Sequence, residues 1–166
     1  MVKVTIMSPQ LDSTEQVLNS LQEALKAELT AIHQYLLHAK ICKNWGYQRL
    51  AEYNRKESLD ELNHAEALME RILFLKGMPE MTELGEIKEC SNVKEQLESD
   101  LALEVEAVSR LNAAVALATA ANDNVSRALF EKILADEDQH VDHLEGQLHV
   151  ISEIGLSSYL AQQVRE

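Results

Sequence analysis

Two short stretches of this sequence, LDELNHAE at 59–66 and ADEDQHVD at 135–142, set a glutamate and a histidine three residues apart: Glu61 with His64, and Glu137 with His140. On a helix, residues three apart share a face, so each pair presents a carboxylate oxygen beside an imidazole nitrogen. Mixed oxygen and nitrogen donors suit iron or manganese better than magnesium, and zinc can also occupy such a set. Asp60, Glu61, His64 and Glu66 stand 76 positions before Asp136, Glu137, His140 and Asp142, and the same offset relates Glu28 to Glu104. The chain is therefore an internal repeat built around acidic residues and histidine.

A lone Glu-x-x-His means little in an acidic, helix-rich chain, where a solvated face is the ordinary explanation. Here the residues sit on apolar stripes. Phe130, Ile133, Leu134, Glu137, His140, Val141, Leu144, Leu148 and Ile151 recur at spacings of three and four. Glu28 lies in a stripe of Leu18, Leu21, Leu25, Ile32, Tyr35 and Ala39, and Glu104 lies in one of Leu97, Leu101, Val108, Leu111 and Val115. Four carboxylates facing one apolar interior would each cost several kcal/mol unpaired, and no Lys or Arg stands at neighbouring stripe positions. Two divalent cations balance four carboxylates, with two neutral imidazoles filling further coordination positions. One Glu from each of two helices and Glu-x-x-His from each of two others is the pattern of di-iron or di-manganese carboxylate bundles.

The elements that must position these residues follow from punctuation. Ser13 and Gln16 have capping-box spacing, which starts a first helix at about 14 and carries it to about 44, before Gly46. A second runs from about 47 to 76, stopped by Gly77 and Pro79. Asn92 and Glu95 form a second capping-box pair for a helix over about 93–121, ANDN turns into a fourth over about 125–153, and Gly155 precedes a short fifth over about 157–165. The stretch GMPEMTELGEIKECS is too long for a simple turn. Fifteen extended residues span roughly 50 Å, about the length of a thirty-residue helix. The expectation is an all-α single domain over 1–166: a four-helix bundle with one long crossover loop and a short fifth C-terminal helix.

Composition agrees with a cation partner. Lys and Arg number 15 against 28 Asp and Glu, a net charge of −13, which disfavours nucleic acid and anionic membranes. Cys42 and Cys90 lack C-x-x-C spacing and read as free thiols in a reducing compartment. MVKVTIMSPQ has no signal-peptide pattern and no run approaches ~18 consecutive apolar residues, so a cytoplasmic location is expected.

Beyond the six residues, LTAIHQYLLHAKICKNWGYQRLA, ERILFLKGMP, LESDLALE, DNVSRALFEKILADEDQH and IGLSSYLAQQ each resemble bacterioferritin segments at corresponding places, over nearly the whole chain. The resemblance implies a ferritin-like shell of twenty-four subunits that oxidises ferrous iron with dioxygen and stores ferric mineral. It implies two iron ions per subunit: Glu28 and His64 would hold one, Glu104 and His140 the other, and Glu61 and Glu137 would bridge. Tyr35 resembles the family's tyrosine behind the iron ligands, beside the plainer reading as a core aromatic. Asp60 and Glu57 resemble acidic positions near the family's inward iron route, beside the plainer reading as a solvated face. A ferredoxin reductant is a further partner the resemblance suggests.

Two positions depart from the family. Bacterioferritins bind haem between two subunits through a methionine directly after the bridging glutamate of the second helix, and Leu62 stands there. A homopolymer of this chain is thus not expected to hold haem b in the usual way, and a mixed shell with a haem-binding bacterioferritin subunit is the alternative assembly. Lys56 stands where the family often has histidine. His33, His38, His143 and His149 read as surface or packing residues. The fifth helix offers Tyr159, Leu160 and Val164 as apolar contacts for assembly. A ferritin-like di-iron oxygenase or manganese catalase would keep the six residues without needing IGLSSYLAQQ. A rubrerythrin would add a C-x-x-C domain, and a DNA-protecting mini-ferritin would place its metal between subunits.

Overall fold

The computed structural model describes residues 12–164. The MVKVTIMSPQ stretch and Arg165, the expected end of the fifth helix, lie outside them. Five helices are present: α1 Ser13–Trp45, α2 Gln48–Phe74, α3 Val93–Ala120, α4 Asn124–Ile154 and α5 Leu156–Ala161. This is the expected bundle of four long helices with a short fifth.

Local chemistry sets the ends. Asp12, not Ser13, caps α1: its carboxylate accepts the Glu15 N–H at 2.8 Å, which pushes Ser13 into the first turn. Asn92 caps α3 as expected, accepting the Glu95 N–H at 3.0 Å, and the Glu95 carboxylate reaches back to the Ser91 N–H at 2.8 Å. Gly46, at φ 87°, ends α1 in the left-handed region, and the Tyr47 N–H returns to the Cys42 carbonyl. α2 stops at Phe74, two residues short of expectation. Lys76, not Gly77, takes the left-handed position at φ 66°, while the Gly77 N–H closes on Ile72 O at 3.0 Å. Gly77 is needed for room, since a Cβ there would meet Leu18 Cδ2 at 2.9 Å. Asp123 accepts from Ser126 N at 3.0 Å to start α4 and pairs with Arg71 of α2 at 2.7 Å, so one side chain both caps a helix and ties two together.

α1 packs chiefly on α2 and α3 on α4, α1 lies beside α3, and α2 and α4 touch only lightly. The crossover follows α1 as its length allows. One polar side chain per turn of α1 fastens it: Gln22 to Met78 O and Glu80 N, Lys26 to Glu83, Thr30 Oγ1 to Gly85 N, and Gln34 to Lys88 N and O. Two apolar clusters fill the bundle. One gathers Leu21, Leu25, Leu68, Ile72, Leu111, Phe130 and Ile133; the other gathers Cys42, Leu50, Val93, Leu97, Leu144 and Ile151. Glu61 and His64 of α2, Glu104 of α3, and Glu137 and His140 of α4 fall between the two along their helices, while Glu28 of α1 stands next to Leu29 of the first cluster.

Tyr159 departs from its expected role as an assembly contact. It is buried within its own subunit and its hydroxyl donates to Gln147 Oε1 at 2.8 Å, leaving Val164 exposed. Among the described residues no helix is long and apolar enough to cross a membrane.

Candidate metal centre

Each long helix delivers to the bundle axis the carboxylate its stripe promised. Glu28, Glu61, Glu104 and Glu137 are at most 3% exposed, His64 is 6% exposed, and the His140 side chain 11%. They form two quartets, Glu28–Glu61–His64–Glu137 and Glu61–Glu104–Glu137–His140, whose donor atoms lie within 4.8 Å of one another. Glu61 and Glu137 belong to both. All six sequence candidates therefore converge, and each quartet could hold a metal ion.

The histidines aim Nδ1 inward. His64 Nδ1 is 3.1 Å from Glu61 and 3.4 Å from Glu137; His140 Nδ1 is 2.9 Å from Glu137 and 3.3 Å from Glu61. Their Nε2 atoms face outward, His64 onto Asp136 at 3.2 Å and His140 onto Glu57 at 2.9 Å. A carboxylate behind a ligating imidazole fixes ring orientation and raises its basicity. The Tyr35 hydroxyl donates to Glu104 Oε1, so the core aromatic is also a polar partner of the centre.

Without metal, protons take the place of cations. Burial opposes charge on His64, but Glu137, Glu28 and Glu61 outweigh it and push the imidazole up to about 12. His140 is raised too, burial being outweighed by Glu137, Glu57 and Glu61. Burial would raise Glu61, yet His140 and His64 hold it at about 2. Glu137 is likewise lowered, against burial, by His140 and His64. Burial first, then the charges of Glu61 and Glu137, drive Glu104 and Glu28 well above the ordinary carboxylate range. Two carboxylates against two imidazoliums, with two carboxyls neutral, leave the centre without net charge. The same six groups, fully deprotonated, offer four negative charges to two divalent ions. The donor set thus fits such a pair.

Several residues sit elsewhere than their sequence context suggests. Glu57 does not lie on a solvated face: its side chain is 2% exposed, and its Oε2 lies 2.9 Å from His140 Nε2. The signal was present, because Glu57 is one turn before Glu61 on the same stripe. Asp60 is 37% exposed and bound by Lys56 at 2.7 Å. Leu62 lies outside the centre, 39% exposed on α2. Among the remaining histidines, His33 and His149 are exposed, and His143 stacks on Tyr53 with ring centroids 4.2 Å apart. His38 is fully buried and pairs with Asp100 at 3.0 Å, one turn before Glu104 on α3. That second buried pair left no trace in the sequence pattern, because it joins helices more than sixty residues apart.

The ferritin-like domain matches residues 18–154. The chain is 46% identical over 149 residues to the bacterioferritin of Mycolicibacterium paratuberculosis, covering 90% of this chain and 94% of that one. It is 46% identical over 148 residues to that of Mycobacterium leprae, covering 89% and 93%. It is 40% identical over 144 residues to that of Brucella melitensis, covering 87% and 89%.

Proposed function

The chain belongs to the ferritin-like family, among the iron-storing bacterioferritins, and on that footing we propose that it is a ferroxidase whose substrates are ferrous iron and dioxygen. The observation that carries this reading is the pair of quartets sharing Glu61 and Glu137 in a dry interior. Glu28 and His64 would hold one iron, Glu104 and His140 the other, with Glu61 and Glu137 between them. Two ferrous ions held side by side supply two electrons to dioxygen at once. The protein's part is to place donors and move protons. Glu61 and Glu137 are already ionised acceptors. His64 and His140 shed their Nδ1 protons as cations arrive, while Asp136 and Glu57 keep both rings turned inward. Glu28 and Glu104 give up the carboxyl protons that burial had imposed, and the Tyr35 hydroxyl keeps Glu104 oriented. The product would be stored as mineral within a shell of twenty-four subunits.

The test is oxygen-dependent ferrous oxidation, followed by ferric absorbance, on the native protein and on Glu104→Ala and Glu137→Ala. Native-like rates in either variant would remove the centre from the reaction. Light scattering of the same samples reports assembly; a dimer that binds metal and never forms a shell would support the oxygenase reading instead.

Haem does not fit the residues present. Leu62 offers a branched hydrocarbon with no lone pair where the family's thioether would stand. Met69, seven residues and roughly 10 Å further along α2, packs against the apolar cluster around Leu68 and Ile72. A homopolymer is thus proposed to lack sulfur-ligated haem, and Leu62 favours, as the second reading, a non-haem subunit of a mixed shell.

A further inference from the structure

The internal repeat extends one turn beyond the metal-binding residues. Lys56-x-x-x-Asp60-Glu61-x-x-His64 of α2 is matched 76 positions later by Lys132-x-x-x-Asp136-Glu137-x-x-His140 of α4. α2 and α4 touch only lightly, and a groove of about 450 Å³ opens between them, lined by both lysines, both aspartates and both histidines. It reaches the outward edges of the two imidazoles. Lys56 Nζ sits 2.7 Å from Asp60 and 3.3 Å from Glu57 Oε1. Lys132 is exposed on the opposite wall and makes no ion pair among the described residues, its counterpart aspartate being engaged by His64. The buried Glu57 Oε2, 2.9 Å from His140 Nε2, lies just behind.

Three carboxylates at the mouth of a path to a metal centre would trap a divalent cation, and the −13 charge of each chain would concentrate such cations around it. The lysines answer both effects. We propose that Lys56 and Lys132 are a resident pair of ammonium ions that screen this groove: they occupy or repel from the carboxylates an arriving divalent cation would use, so cations reach the centre only by exchange. The lysines are specificity-determining residues of the approach and make no contact with the six donors. This inference rests on the metal-centre reading of the preceding subsection.

The probe is Co²⁺, mixed rapidly with the assembled, metal-free protein and followed by its visible d–d absorption, with equilibrium stoichiometry measured in parallel. Lys56→Gln and Lys132→Gln, singly and together, keep most of each stem and remove the charge. One ammonium roughly 6–13 Å from the path of a divalent ion in water predicts association about three- to tenfold faster in each single variant at low salt, the two factors multiplying in the double variant. The difference should close at high ionic strength, with final stoichiometry and spectrum unchanged. Lys94→Gln removes a charge at an equally simple surface pair, Lys94–Glu98 at 2.7 Å, and should leave the rate as it is. Unchanged rates in the groove variants overturn the proposal, as does an equal acceleration by Lys94→Gln, which would reduce the effect to net charge. If Co²⁺ uptake is unchanged in Glu61→Gln, the metal-centre reading falls and the screen with it; uptake lost in Glu61→Gln with unaltered rates in the lysine variants sinks the screen alone.

Discussion

Crowding alone says that removing any one of the four buried carboxylates should relax the metal-free bundle. Placing the protons gives a different answer for different residues. Glu104 is a carboxyl that burial and its neighbours keep protonated, and Tyr35 donates to it. Glutamine there is a neutral isostere that still accepts from Tyr35, so Glu104→Gln should leave the metal-free melting temperature within about 3 °C of native, a change of roughly 1 kcal/mol or less for a chain of this size. Glu137 instead is ionised and lies 2.9 Å from His140 Nδ1 and 3.4 Å from His64 Nδ1. Glu137→Gln leaves Glu61 as the one ionised carboxylate shared by the two inward Nδ1 atoms. Removing one partner of a buried pair costs about 3–5 kcal/mol; His140 borders the groove and can lose its proton there, so the low end applies. At about 2–4 °C per kcal/mol, melting should fall by roughly 6–12 °C. Calorimetry on both variants after chelator treatment, at neutral pH, measures the difference. Both should lose paired Co²⁺ binding, since each removes a donor. Equal losses of stability, or a larger loss for Glu104→Gln, would show that the protons are not distributed as described.

The metal-free protein should also respond to pH on two sides. His64, raised from 6.5 to about 12, contributes stability that is full below 6.5 and lost as pH climbs toward 12, while Glu61, lowered from 4.5 to about 2, contributes stability present above 4.5 and lost as pH falls toward 2. Denaturant midpoints measured against pH should therefore peak between those limits, and a flat alkaline limb would count against the pairing. Thr30→Val should cost about 1 kcal/mol and speed amide exchange at Gly85, because the Thr30 hydroxyl accepts the Gly85 N–H at 2.8 Å while donating to Lys26 O; protection unchanged at 85 would show that the crossover is held otherwise. Leu62→Met should let the homopolymer take up haem with a bis-thioether spectrum, and the same spectrum from the unaltered chain would refute the reading of position 62.

How much of this was legible depends on whether an interaction lies within one helix. Glu28, Glu61, Glu104 and Glu137 could be found because a 3.6-residue period turns chain position into facing, and all four arrive at the axis. The long crossover could be inferred from length, but not the ladder of Gln22, Lys26, Thr30 and Gln34, whose partners are loop backbone groups. The end of α2 was misplaced because Lys76 adopts a left-handed backbone that the sequence rules assign to Gly77. Glu57 looked solvated because Lys56 and Asp60 flank it. Its burial is decided by His140, which α4 brings from more than eighty positions away.

The repeat explains the donors and its breaks explain the rest. Every donor has a counterpart 76 positions away: Glu28 with Glu104, Glu61 with Glu137, His64 with His140. A twofold arrangement needs shared groups at its axis, and the two shared carboxylates, Glu61 and Glu137, are themselves one such pair. Two of the supporting groups, Tyr35 and Glu57, do not repeat. Tyr35, which donates to Glu104, corresponds to Leu111, a buried hydrocarbon that can offer Glu28 nothing; Glu57, behind His140, corresponds to Ile133. His64 rests instead on Asp136, which is 41% exposed, whereas Glu57 is 2% exposed. Symmetry in the donors lets two like cations sit side by side, while asymmetry behind them places one hydroxyl and one buried carboxylate on the Glu104–His140 side and a solvated carboxylate on the other. The repeated residues set the candidate donors, and the unrepeated ones set which side is dry.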